Sequence, residues 1–174
     1  MPRLQAIFTP EEIKVAVERL AQEIKRDYQG KNPLMLGVLK GSFIFMADLI
    51  RNLDMPLEVE FVTLSSYKHD TKSSGKIVMV RDLQIPIKDR DVLVIEDIVD
   101  TGITLSFLLN YLQREEPASL EICALFDKAP RRKVWVPIHY LGLSVPDVFL
   151  VGYGLDWDEK YRHLPGIYSL GEGS

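Results

Sequence analysis

Val92-Leu-Val-Ile-Glu-Asp-Ile-Val-Asp-Thr-Gly-Ile-Thr-Leu105 changes character twice within one short run. Val92 to Ile95 are apolar and mostly β-branched, the composition of a strand buried on both faces of a parallel sheet. The strand is expected to end abruptly at two carboxylates, Glu96 and Asp97. Gly102 marks a tight turn, and Leu105, Phe107, Leu108, Leu109 and Leu112 have the apolar spacing of a following helix. A loop between the carboxyl end of a strand and a helix amino terminus is where open α/β sheets bind ligands. Its free N–H groups suit a phosphate. The carboxylates of Glu96, Asp97 and Asp100 would repel that phosphate unless sugar hydroxyls or a divalent cation lie between them. An isolated Asp-Thr-Gly reads most simply as a solvated helix start, where Asp and Thr are common caps. The whole run calls for a ligand with both a phosphate and a free ribose diol.

The chain around this run is an ordinary soluble-type sequence. Its 174 residues suffice for one domain with a substantial core, and 47% hydrophobic with 26% charged residues is typical of a globular protein. A formal net charge of −4 gives no support to nucleic-acid binding as the main activity. No apolar run is long enough to span a bilayer, and the opening M-P-R-L-Q-A-I-F lacks a signal-peptide core, so a cytoplasmic location is the default. Cys123, the single cysteine, lies in an apolar run and reads as a buried structural thiol. His139 and His163 form no metal-ligand pattern with it, so zinc is not expected.

Thr9-Pro10-Glu11-Glu12 is a helix start, with Thr as cap, Pro at the first helical position and Glu three residues after the cap. Ile13, Ala16, Val17, Leu20, Ala21 and Ile24 trace one face of that helix. Leu34 to Leu39 reads as a buried strand, followed by a helix through Phe43, Met46, Ala47 and Ile50. Further strands are expected at Glu58 to Leu64, near Leu120 to Phe126 and at Val148 to Val151. Alternating strands and helices predict an α/β fold: a parallel sheet flanked by helices on both faces. Residues 1–174 form a single domain in this reading. The core spans about 30–155, and a small cap comes from the N- and C-terminal segments, about 1–28 and 156–174.

The Glu96–Thr104 run, E-D-I-V-D-T-G-I-T, resembles the phosphoribosyl-diphosphate (PRPP) signature of the type I phosphoribosyltransferases, in the form closest to the hypoxanthine-guanine enzymes. The resemblance extends from about Leu34 to Arg162. It implies the type I phosphoribosyltransferase fold, with Glu96 and Asp97 facing the ribose hydroxyls. It further implies that Asp100, Thr101, Gly102, Ile103 and Thr104 hold the 5′-phosphate, and that Asp100 is the acid–base group at N7 of a purine. Lys40 and Gly41, in Leu39-Lys40-Gly41-Ser42, would contact the diphosphate, and the Leu39–Lys40 peptide bond would be cis. Without the resemblance, Lys40 is simply a solvated loop cation.

The polar stretch from Ser65 to Lys76 is long for a compact domain and reads either as a surface hairpin or as a lid. The resemblance makes about 65–77 a mobile loop whose Ser66 and Tyr67 close over the diphosphate. Lys128 would donate to O6 of the base, and an ammonium, having donors only, accepts a 6-oxopurine and disfavours adenine. Phe149 would stack on the purine and the Leu150 backbone would read its edge. Asp156 would be a ligand of a second Mg²⁺ and belong to the purine site, and Arg162 would contact the diphosphate. Arg131-Arg132-Lys133 reads as a solvated turn that could carry a subunit contact, and Trp157 and Tyr161 as packing of the cap.

The activity implied is Mg²⁺-dependent transfer of 5-phosphoribosyl from PRPP to N9 of hypoxanthine or guanine. The metal ligands would be Glu96, Asp97 and Asp156. A homodimer or homotetramer is implied, with neither a nucleic-acid nor a membrane partner. A xanthine-preferring enzyme and a non-catalytic PRPP-sensing regulator stay open. A nucleotide hydrolase is disfavoured because no G-x-x-x-x-G-K-[ST] occurs.

Overall fold

The computed structural model describes residues 3–67 and 76–171. The central run is a strand, β5 (Asp91–Val99), longer than its apolar core because Glu96 and Asp97 lie inside it. Beside it lies β2 (Leu34–Leu39), and beyond that β3 (Glu58–Tyr67) and β4 (Lys76–Arg81). On its other side lie β6 (Ser119–Asp127) and β7 (Tyr140–Ser144). The sheet order is β4-β3-β2-β5-β6-β7, all parallel except β4, which pairs antiparallel with β3. The expected parallel sheet is present, with one antiparallel edge.

Alternation along the central strands sorts their side chains into two cores. Met35, Leu93, Ile95, Cys123 and Leu125 face one side, where α1 (Pro10–Asp27) and α2 (Phe43–Leu53) cover them. Leu34, Leu36, Val92, Val94, Ile122 and Ala124 face the other, under α3 (Ile103–Gln113). Cys123 is buried and free, and burial pushes its thiol up, as expected of a structural thiol.

Helix α1 begins with the full capping box: Thr9 Oγ1 accepts from Glu12 N at 3.2 Å, and Glu12 Oε2 accepts from Thr9 N at 2.8 Å. All six expected face residues are buried, and the four larger ones, Ile13, Val17, Leu20 and Ile24, each contribute about 1.5–3 kcal/mol. Thr9→Ala is expected to cost about 1 kcal/mol and to lower Tm by roughly 2–4 °C in a thermal melt, with turnover unchanged.

Three expectations need correction. Residues 10–27 do not belong to a cap, because α1 packs on α2 and β7 within the larger core. The cap is instead a second, antiparallel sheet of order β1-β9-β8, formed by β1 (Arg3–Phe8), β8 (Leu150–Val151) and β9 (Ile167–Gly171). Val148 and Phe149 thus precede a two-residue strand of the cap and are not part of the parallel sheet. Helix α2 buries Phe45, Met46, Leu49 and Leu53, while Phe43 and Ala47 are exposed, so its inner face is turned from the one expected.

Candidate active site

From β2 the chain crosses to β3 on one side, whereas from β5 it crosses to β6 on the other. The loops after β2 and β5 therefore diverge, and this switch point opens a crevice at the carboxyl edge of the sheet. One wall is Leu39-Lys40-Gly41, with a cis Leu39–Lys40 bond as the resemblance implied. Gly41 sits so close to Asp97 that a Cβ there would meet Asp97 Oδ2 at 1.7 Å. The opposite wall is the turn Asp100-Thr101-Gly102. Gly102 caps α3 with φ +82°, and a Cβ on it would meet the Val134 carbonyl oxygen at 2.3 Å. Only glycine meets both demands at low cost.

A cavity of about 260 Å³ lies between these walls, lined by Glu96, Asp97, Asp100, Thr101, Gly102 and Thr104 among others. Glu96 Oε1 accepts from Asp97 N at 3.1 Å, and Asp97 Oδ1 accepts from Ile98 N at 2.7 Å. Burial, and then the neighbouring Asp97 charge, push the Glu96 carboxyl well above the usual carboxylate range. Such a pair favours hydroxyl donors or a cation, while the α3 amino terminus favours a phosphate.

A larger cleft of about 900 Å³ adjoins this cavity, and Leu39, Gly41, Asp97 and Asp100 line both. Lys128, only 9% exposed, lines the cleft, its Nζ donating to the Val148 carbonyl at 2.9 Å. Phe149 lies 53% exposed in the lining, which excludes a role as core, and Leu150, Asp156 and Arg162 complete that side. Asp100 Oδ1 is shut away from solvent yet accepts no hydrogen bond from any described residue. Arg131 Nε lies 3.5 Å away. A buried acceptor without a donor is costly and is usually kept for a reason.

A phosphoribosyl transferase domain model matches residues 4–158. The hypoxanthine-guanine phosphoribosyltransferase of Dictyostelium discoideum is 45% identical over 97% of this chain and 96% of its own length. That of Bacillus subtilis (strain 168) is 44% identical over 94% and 91% respectively. The chain belongs to the hypoxanthine-guanine phosphoribosyltransferase family. A crystal structure of a hypoxanthine phosphoribosyltransferase from Staphylococcus aureus superposes with a TM-score of 0.91 at 43% identity, covering 95% of this chain and 90% of that one.

In this phosphoribosyltransferase most residues singled out in the sequence line the two adjoining cavities. Ile103 starts α3 and is 41% exposed, outside the lining. Ser66 is also exposed and outside it, although Thr63, Leu64 and Ser65 belong to the larger cleft. Tyr67 ends β3, and the rest of the expected loop, 68–75, lies outside the described residues. Trp157 and Tyr161 pack on each other, with ring centroids 6.4 Å apart.

The Arg131–Lys133 run is solvated only at its ends, Arg131 and Lys133. Arg132, with its side chain 19% exposed, is ion-paired to Asp127, and its Nε donates to the Asp100 carbonyl at 3.1 Å. Lys133 N and Val134 N donate to the Thr101 carbonyl at 2.8 and 3.0 Å. The segment backs the turn Asp100-Thr101-Gly102, and nothing in an Arg-Arg-Lys triplet announces such a task. Glu159 was also missed: it lines the larger cleft and pairs with Lys40 at 3.1 Å and with Arg162 at 3.3 Å.

Proposed function

We infer that this phosphoribosyltransferase makes IMP or GMP by joining the 5-phosphoribosyl group of PRPP to N9 of hypoxanthine or guanine. The observation that carries this reading is the adjoining of two cavities through Asp97 and Asp100. One cavity has the phosphate turn and the carboxylate pair, and the other has an ammonium, an aromatic face and a carboxylate oxygen with no donor among the described residues. The 5′-phosphate takes the turn from Asp100 to Thr104, and the ribose hydroxyls take Glu96 and Asp97. Diphosphate takes Lys40, the Gly41 amide and Arg162. The base lies against Phe149 with O6 on Lys128 and its edge on the Leu150 backbone.

In the reaction the C1′–O bond to diphosphate breaks, the leaving group keeping the electron pair, and the N9–C1′ bond forms. The proton carried by the purine passes to Asp100, within the range of tasks a positioned carboxylate performs. The remainder is alignment of two substrates.

Glu96 and Asp97 are the oxygen donors that would hold one Mg²⁺, and Asp156 would hold a second. Among the described residues no three acids or histidines gather into a cage of their own. That fits a cation which takes one or two carboxylates and completes its shell with water and substrate phosphates. When bound, Mg²⁺ neutralises charge on the leaving diphosphate. A homodimer or homotetramer is part of the same proposal, read by light scattering.

Incubation with PRPP, Mg²⁺ and each of hypoxanthine, guanine, xanthine and adenine tests the reading. Nucleotide is expected with the first two and far less with adenine, and chelation of Mg²⁺ is expected to abolish turnover until the ion is restored. Turnover with xanthine alone would reassign the base, and no product with any base would point to a regulator.

A further inference from the structure

The two cations assigned to the diphosphate are already shared by an acid. Glu159 Oε2 accepts from Lys40 Nζ at 3.1 Å and from Arg162 at 3.3 Å, so a single carboxylate oxygen joins a residue after β2 to one 122 positions later. Its position is built in. Asp158 and Glu159 both have left-handed backbones, φ 53° and 60°, in a turn closed by two hydrogen bonds between Trp157 and Lys160. Glu159 N donates to Asp156 Oδ2 at 2.9 Å. Arg162 is further fixed by the Gly154 carbonyl at 2.8 Å and Asp156 Oδ1 at 3.2 Å.

We propose that Glu159 is an internal competitor of the diphosphate, holding Lys40 and Arg162 through the same donors that the leaving group must engage. This rests on the phosphoribosyl-transfer reading above. A carboxylate and a diphosphate cannot take one set of donors together, and two anions held side by side repel. The Lys40 and Glu159 side chains are 65% and 66% exposed, and exposed pairs are weak. Glu159 therefore yields to PRPP instead of barring it, at the cost of some affinity. It also regains its partners as diphosphate departs, which favours release of that product.

The test is titration calorimetry on the full chain with Mg²⁺, comparing wild type with Glu159→Gln and Glu159→Ala. PRPP and inorganic diphosphate are each expected to bind roughly three- to tenfold more tightly to both variants at low ionic strength. The gain should shrink at high salt, and GMP, which carries no diphosphate, should bind as it does to wild type. Diphosphate affinity that is unchanged or weaker in both variants would overturn the proposal, as would an equal gain for GMP. The underlying reading fails separately: wild type would then bind PRPP yet form no nucleotide with any purine, while the Glu159 comparison would still read. Wild type binding neither PRPP nor diphosphate would overturn both.

Discussion

Asp100→Asn is expected to lower turnover on the order of a hundred- to ten-thousand-fold, with little change in the dissociation constant for PRPP. The side chain keeps its shape and an oxygen acceptor but can no longer take a proton. Its Oδ1 is shut away from solvent without a described donor, while the Asp100 carbonyl, held by Arg132 Nε at 3.1 Å, anchors the backbone of the Asp100-Thr101-Gly102 turn. The substitution thus removes acid–base capacity and leaves that anchor in place. An interaction used only in the transition state lowers kcat, whereas one used equally before and during reaction raises KM. Steady-state kcat with hypoxanthine and equilibrium PRPP binding separate these cases. Equal losses in both would assign Asp100 to holding the phosphate turn instead of to the purine proton.

What the sequence made readable here follows from how local each signal is. The capping box at Thr9 and the apolar faces of α1 and β2 are set within a few residues, and all are found where expected. Strand β7 was invisible. It is five residues long, with Gly142 at its middle, and that glycine lies where a Cβ would meet the Leu125 carbonyl oxygen at 2.4 Å. Its edge carbonyls at Leu141 and Gly142 are taken by Arg19 of α1, a partner more than a hundred residues away. The cap was misassigned for a similar reason, since β1 and β9 become strands only by pairing across almost the whole chain.

The same division runs through the site. Residues of the signature run, together with Lys128, Phe149 and Asp156, were singled out through a motif and its matching positions, and most of them line the two cavities. Arg132 and Glu159 were not, because each acts on groups supplied by other segments. Long-range partners leave no periodicity in the residues that serve them.

Gly154→Ala is expected to lose at least two orders of magnitude in kcat/KM for PRPP, an effect of about 3 kcal/mol, and to fall in Tm. Gly154 has φ +97°, and a Cβ on it would meet the Gly41 carbonyl oxygen at 2.2 Å and the Gly41 carbonyl carbon at 3.3 Å. Both atoms are backbone, so no side chain can swing aside. Either Leu39-Lys40-Gly41 moves, carrying Lys40, or the turn from Gly152 to Asp156 moves, carrying the carbonyl that holds Arg162. Each shift displaces a cation assigned to the diphosphate, and misplacement of about 1 Å is enough to cost a hundredfold in rate. Gly30→Ala separates strain from collision: Gly30 has φ +77°, but among the described residues nothing lies within 4 Å of its Cβ position. Placing alanine there costs roughly 1–2 kcal/mol of stability and should leave PRPP kinetics at wild-type values. If Gly154→Ala lost only as much Tm as Gly30→Ala and kept its affinity for PRPP, the close approach of the two turns would be packing without consequence for the site. A loss of PRPP affinity well beyond that control would make the glycine-to-glycine contact the joint that keeps Lys40 and Arg162 in register.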